Sequence, residues 1–262
     1  MVKAIFFDID GTLISFKTHK IPQSTIKALN ELHNKGIKLF ICTGRPPADI
    51  KFLTKELHDL FDGYITLNGQ YCYDKNDNII HEQTLDKNDL TVLTDYFKDK
   101  DIACGFIELD YFYYNLRNQY LDDFDKALGG TAPKRFVDSM QRIYTHKTYQ
   151  LNLFLPEEDE APILKMMPNC RSVRWCPFVG DIIPKDGGKA TGIKYVLDYY
   201  GIDIDECMAF GDGGNDKEML EFAKIGVAMG NASDDVKSIA DYVTTDVDND
   251  GILNALKHFN VL

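Results

Sequence analysis

Ile5-Phe6-Phe7-Asp8-Ile9-Asp10-Gly11-Thr12-Leu13 runs an apolar stretch straight into two carboxylates and a glycine. Side chains alternate faces along a strand, so if extended geometry persists to Asp10, both acids lean to one side and Ile9 to the other. Two like charges about 4 Å apart repel by roughly 4 kcal/mol at an effective dielectric of 20. A cation between them would remove that cost. The structural alternative is an acidic turn at a strand end, for which Asp-Gly is common chemistry.

Working outward, short β-rich runs alternate with helical ones as far as about Leu67, which is the pattern of βαβ units and a parallel sheet. Val2 to Phe7 reads as strand, Ser24 to Lys35 as helix with Ile26, Leu29 and Leu32 at three-residue steps, and Lys38 to Cys42 as strand. Pro46 and Pro47 open a second helix, and Gly63 to Leu67 forms a third strand ahead of Asn68-Gly69. Gln70–Tyr73 and Ile79–Glu82, with the turn Asp74–Asn78 between them, read as a hairpin. A different texture follows, with a helix near Asp86 to Lys98, strands at Ile102–Ile107, Tyr111–Leu116 and Tyr149–Leu155, and a strand pair at Ser172–Cys176 and Val179–Ile183. That is an α+β module with an antiparallel sheet. The βαβ rhythm returns with a helix at Lys189–Tyr200, a strand at Cys207–Phe210, a helix at Asn215–Ala223, a strand at Ile225–Met229 and a helix at Ser233–Ala240. The expectation is an α/β core made of residues 1–83 and 184–262, interrupted by an inserted α+β domain over 84–183.

Bulk properties narrow the function classes. The 262 residues are 44% hydrophobic, enough for a substantial core, and the net charge of -12 repels nucleic-acid phosphates. Cys42, Cys72, Cys104, Cys170, Cys176 and Cys207 are scattered without a CxxC pair, so they read as reduced thiols, which suits the cytoplasm. No apolar stretch approaches 18 residues, so neither a membrane span nor a secretory leader is expected.

Three further turns carry chemistry. Ile41-Cys42-Thr43-Gly44-Arg45 brings a hydroxyl and backbone N–H groups ahead of a helix, where an anion is favoured; helix capping by Thr43 is the plainer reading. Pro184-Lys185-Asp186-Gly187-Gly188-Lys189-Ala190 puts Lys189 at a helix start, against the dipole, which suggests an anionic neighbour. It is not a P-loop, since Ile183 stands where the first glycine belongs and Ala190 where Ser or Thr is required. Ala209-Phe210-Gly211-Asp212-Gly213-Gly214-Asn215-Asp216 adds a third strand-end carboxylate in a glycine turn, as a hard cation needs. All four turns fall at or beside C-terminal ends of strands in one α/β core, where such sheets bind ligands. Asp246-Val247-Asp248-Asn249-Asp250-Gly251 matches half a calcium loop, but position twelve is Lys257 rather than Glu, so it reads as a helix-starting turn.

On these residues the chain resembles the haloacid dehalogenase (HAD) superfamily of phosphohydrolases, in its Cof-like subclass with a large α/β (type IIB) cap. Asp8-Ile9-Asp10-Gly11-Thr12, Thr43-Gly44-Arg45, Lys189 and Gly211 to Asp216 look like its four motifs in order, and Gly226 to Ala232 also looks like that subclass. The resemblance implies a Rossmann-like parallel-sheet core carrying an inserted α+β cap. It implies a phosphatase in which Asp8 is the nucleophile and forms an aspartyl-phosphate, while Asp10 acts as acid and then base. Mg²⁺ would be held by the carboxylates of Asp8 and Asp212 and the backbone carbonyl of Asp10. Thr43, Gly44, Lys189 and Asn215 would grip the phosphoryl oxygens, with Asp216 and Arg45 in support. Gln70 and Ala190 depart from the small residue and the glycine usual at those places, which bears on substrate identity.

The partner expected is a small phosphorylated metabolite, with sugar phosphates favoured over pyridoxal phosphate or flavin mononucleotide. A phosphomutase would share the nucleophile. A phospho-accepting receiver domain fits poorly, because Asp8 lies on the first strand, an insert splits the core, and Asp10 would hydrolyse a stable phospho-signal. Aromatics from Tyr111 to Phe124 read mainly as core of the insert, and Arg174, Trp175, Phe178 and Asp181 are its candidate contacts to a leaving group.

Overall fold

The computed structural model describes residues 1–57, 59–128 and 135–262. Its fold is α/β and divides into two compact units, one of residues 1–45, 49–82 and 187–262, the other of 46–48 and 83–186.

In the first unit the strand Ala4–Phe7 lies inside an eight-stranded sheet. The order is Tyr242–Val243, Ile225–Ala228, Cys207–Gly211, Ala4–Phe7, Lys38–Cys42, Gly63–Thr66, Tyr71–Asp74 and Ile79–Glu82. Pairing is parallel from Tyr242–Val243 through Gly63–Thr66, and antiparallel in the closing hairpin. Ile5 and Phe7 pack with residues of the helices Gln23–Asn34 and Gly251–His258, whereas Ala4 and Phe6 pack with Ile193, Val196 and Leu197 of the helix Lys189–Tyr200. Burial on both faces is why this strand is apolar without alternation. Gln23–Asn34 follows Pro22 and buries Thr25, Ala28, Leu29 and Leu32, so its inward stripe lies beside Ile26 rather than on it.

Several boundaries are tighter than the sequence suggests. The third strand stops at Thr66, because Leu67, Asn68 and Gly69 all adopt positive φ (55°, 52° and 99°). The segment after Pro46 begins as a 3-10 turn, Pro47–Ile50, before the helix Lys51–Glu56. The expected helix from Asn215 likewise starts as Gly214–Asp216 and becomes α-helical over Lys217–Phe222, and the one from Ser233 is only Asp234–Lys237.

The second unit holds a six-stranded sheet in the order Cys170–Cys176, Val179–Pro184, Gln150–Phe154, Ala103–Ile107, Phe112–Tyr114 and Phe136–Val137. Its pairing is antiparallel except at the last pair. Leu90 and Leu93 of the helix Lys87–Tyr96 and Ile163 of the helix Ala161–Met166 join Phe106, Leu151 and Ile182 in one cluster. Leu121 and Phe124 of the helix Gln119–Ala127 join Tyr114, Phe154, Trp175 and Phe178 in another. Among the described residues no helix is long and apolar enough to cross a membrane.

Candidate active site

The strand Ala4–Phe7 ends by delivering Asp8, whose N–H donates to the Phe210 carbonyl at 3.0 Å and so ties the first turn to the neighbouring strand Cys207–Gly211. That neighbour delivers Asp212, Lys38–Cys42 delivers Thr43, and Lys189 opens the helix Lys189–Tyr200. Parallel strands all point their C-terminal ends one way, which is how residues far apart in sequence meet on one rim.

At the centre, Lys189 Nζ donates to Asp8 Oδ1 at 2.7 Å and to Asp216 Oδ1 at 2.5 Å. The side chains of Lys189 and Asp216 are wholly buried, and that of Asp8 is 10% exposed. Burial alone would lower the lysine's pKa, but the carboxylates of Asp216 and Asp8 outweigh it and push it up. This answers the anomaly of a lysine at a helix start. Asp216 Oδ2 accepts the N–H groups of Asp212 and Gly213 at 3.0 and 2.8 Å, so both its oxygens are committed within the protein.

Asp8, Asp212 and Asp216 offer carboxylate oxygens that all lie within 4.8 Å of one another. Burial, reinforced by Asp216, raises Asp8 to about 7; burial, reinforced by Asp8 and Asp216, raises Asp212 to about 8. Carboxylates this reluctant to ionise together are what a divalent cation relieves, and hard cations take oxygen ligands. Asp216 takes Lys189 on one oxygen and two backbone N–H groups on the other and is wholly buried, whereas the side chain of Asp8 is 10% exposed and Asp212 is half-buried.

Asp10 stands apart from that trio. Arg45 clasps it with two bonds, Nε to Oδ2 at 2.7 Å and a terminal nitrogen to Oδ1 at 2.6 Å. Both side chains are about a third exposed, at 33% and 36%, so solvent reaches the pair and screens it.

Thr43 is buried, and its Oγ1 accepts the Arg45 N–H at 3.2 Å. Asn68 joins this loop to the fourth motif: its N–H donates to the Thr43 carbonyl at 3.0 Å, its Oδ1 accepts from Asn215 Nδ2 at 3.0 Å, and its amide lies against Gly44, where a Cβ would approach to 3.1 Å. Gly69 is pressed still harder, since a Cβ there would fall 2.1 Å from the Gly188 carbonyl oxygen, beside Lys189.

The four candidates from the second unit are engaged inside that unit. Arg174 pairs with Glu160 and donates to the carbonyls of Leu155 and Pro177 at 3.1 and 2.6 Å. Asp181 is buried and accepts from Asn152 Nδ2 at 2.5 Å. Trp175 and Phe178 pack on Phe124, with ring centroids 6.1 and 6.2 Å away.

Thr12, Asn68 and Asn231 complete the rim and lie outside the set named from sequence. Thr12 Oγ1 donates to Asp212 Oδ1 at 2.9 Å, and Asn231 Nδ2 to Asp212 Oδ2 at 3.1 Å. The available signal was position, since each follows closely on a predicted strand end.

A family model of the haloacid dehalogenase-like hydrolases matches residues 5–256. The chain is 35% identical over 263 residues to YkrA of Bacillus subtilis (strain 168), a protein that carries a phosphatase name, covering 99% of this chain and 98% of that one. Among solved structures it is similar to the HAD subclass IIB sugar phosphatase BT4131, with 39% identity and a TM-score of 0.90 over the whole of both chains. It is also similar, with 41% identity and a TM-score of 0.92 over the whole of both chains, to a structure described as showing a conserved trigonal-bipyramidal intermediate in a phosphoryl-transfer superfamily.

Proposed function

The chain belongs to the haloacid dehalogenase-like hydrolases and is a phosphatase, and from that premise we propose that it is a Mg²⁺-dependent sugar phosphatase with Asp8 as nucleophile. The observation that carries the reading is Lys189, buried and bonded to Asp8 and Asp216, a permanent cation beside a carboxylate that otherwise faces Asp212 and Asp216.

In the first step an oxygen of Asp8 attacks phosphorus and the bond from phosphorus to the leaving oxygen breaks, giving an aspartyl-phosphate. Asp10, released from Arg45, hands a proton to that leaving oxygen. In the second step a water attacks phosphorus, Asp10 takes its proton, and Asp8 is regenerated as phosphate leaves. Thr43, the Gly44 backbone, Lys189 and Asn215 hold the phosphoryl oxygens, with Asn68 keeping Asn215 and the Gly44 loop in register. When bound, Mg²⁺ held by Asp8, Asp212 and the Asp10 carbonyl would neutralise charge on a phosphate dianion entering a pocket of carboxylates.

The sugar assignment is supported by the 39% identity to a sugar phosphatase across the whole chain. The second unit, residues 83–186 with 46–48, is assigned to substrate selection. Incubation with Mg²⁺ and p-nitrophenyl phosphate, followed by a panel of hexose and pentose phosphates, pyridoxal phosphate and flavin mononucleotide, tests both parts. Many turnovers with highest kcat/KM on a sugar phosphate are expected. One p-nitrophenol released per chain, with the phosphoryl group retained on the protein, would overturn the hydrolase reading, and a preference for pyridoxal phosphate or flavin mononucleotide would overturn the sugar assignment.

A further inference from the structure

The acidic tract Asp246 to Gly251, set aside above as half a calcium loop, has another place in the structure. The Val247 N–H donates to Asn231 Oδ1 at 3.0 Å. From the other end of the same amide, Asn231 Nδ2 donates to Asp212 Oδ2 at 3.1 Å and to the Gly11 carbonyl at 2.9 Å. One side chain therefore joins the first motif, the fourth motif and the 246–250 turn. Its backbone is fixed too: the Gly230 N–H donates to the Thr245 carbonyl at 3.1 Å, and a Cβ on Gly230 would come within 2.5 Å of Asp246 Oδ1.

The partners determine the amide's orientation. A donor faces Oδ1 and two acceptors face Nδ2, and a flipped amide would set oxygen against both acceptors. Asp212 is thereby gripped at each oxygen, by Thr12 at Oδ1 and by Asn231 at Oδ2. The grip has something to resist, because Asp212 faces Asp8 and Asp216 with ligand oxygens inside 4.8 Å. A carboxylate repelled by two others and free to rotate would turn away from them.

We propose that Asn231 is a positioning residue that holds the Asp212 carboxylate where, together with Asp8, it takes a divalent cation. This rests on the assignment of Asp212 to the cation under the proposed function. Asn231 is itself exposed, so its bonds contribute little to the stability of the fold. Their effect falls on cation affinity, as it does for other groups that orient a metal ligand. Aspartate, nearly the same shape, would fail at this position by placing oxygen against Asp212 Oδ2 and the Gly11 carbonyl.

The test measures Mg²⁺ binding to the phosphate-free protein by calorimetry, alongside melting temperature with EDTA and with Mg²⁺, for the wild type, Asn231→Ala and Asn231→Asp. Affinity is expected to fall at least about tenfold in Asn231→Ala and further in Asn231→Asp. Melting in EDTA should stay close to wild type, and the Mg²⁺-induced rise in melting temperature should shrink in both variants. Wild-type affinity in Asn231→Ala overturns the inference, as does a loss of stability in EDTA with affinity intact. Should Asn231→Asp fail to fold, Asn231→Ala decides alone. A wild type that binds no Mg²⁺ removes the cation assignment itself, a failure distinct from that of Asn231.

Discussion

Replacing Lys189 with methionine isolates the charge balance on which the site depends. Methionine nearly fills the lysine's volume, so the packing term is small and the change is chiefly loss of the cation. What remains is Asp216, with no side-chain exposure, and Asp8, with 10%. Removing one partner of a buried ion pair costs about 3–5 kcal/mol, because the survivor keeps its desolvation cost without compensation. At roughly 2–4 °C per kcal/mol for a chain of this size, melting should fall by about 6–20 °C. The melt is followed by circular dichroism at pH 7 with EDTA, so that no added metal replaces the lost charge. Adding Asp216→Asn to Lys189→Met removes the orphaned charge, and the double variant should be more stable than the sum of the two single losses by about 1–3 kcal/mol. Phosphatase activity should be lost in both. A Lys189→Met melt within a degree or two of wild type, or strict additivity in the double variant, would refute the argument that Lys189 neutralises these acids.

Three more outcomes follow from single contacts. Asp8→Asn should abolish turnover of p-nitrophenyl phosphate while leaving the far-ultraviolet spectrum unchanged, and full activity would remove Asp8 as nucleophile. Gly69→Ala must fit a Cβ at φ 99° and 2.1 Å from the Gly188 oxygen, so it should cost about 1–3 kcal/mol and displace Lys189; a variant with normal stability and kcat would show that the turn yields freely. Asp74 accepts N–H bonds from Asn76 and Asn78 at 2.8 and 2.9 Å and from Asn78 Nδ2 at 2.9 Å, and although burial opposes it, these bonds hold its pKa below the usual carboxylate value of 3.8. Its stabilisation is therefore complete above the unfolded value and lost as pH falls through the depressed one. Asp74→Asn should cost about 1–2 kcal/mol at pH 7 and progressively less below pH ~4, and a melting difference that does not change between pH 7 and pH 3 would contradict this.

What could be read beforehand was what short-range pattern determines. The strand leading to Asp8 announced itself because burial on both faces demands an unbroken apolar run, and Lys189 because it opposes its own helix dipole. The positive φ of Leu67 could not be read, because it is imposed from elsewhere: the Leu67 N–H bonds the Arg45 carbonyl and the Asn68 N–H that of Thr43. The contact of Asn231 could not be read for a similar reason, since it meets the Gly11 carbonyl across 220 residues. The helix Gln119–Ala127 was passed over because it buries only Leu121 and Phe124 among acidic neighbours, and its start depends on Asn118 Oδ1 accepting the Leu121 N–H.

The two acids that open the chain are one residue apart in sequence and belong to opposite environments, which is the physical ground for giving them separate tasks. Asp8 lies 10% exposed against a buried lysine, so it meets few waters and the cation beside it is a fixed one. Such a group suits a covalent bond to phosphorus, where water would compete with the carboxylate as nucleophile. Asp10, at 36% exposure and clasped by an arginine that is itself a third exposed, can exchange protons with solvent between half-reactions. An acid/base that cycles must be reloaded, and burial like that of Asp8 would slow the reloading. The Arg45 clasp, screened by solvent at both side chains, would hold Asp10 between turnovers. Arg45→Met should therefore lower kcat only modestly, by up to about tenfold, while Asp10→Asn lowers it far more because both half-reactions lose their proton carrier. Equal losses in the two variants, measured as kcat on p-nitrophenyl phosphate, would mean that the ion pair itself, rather than a released Asp10, is the working unit.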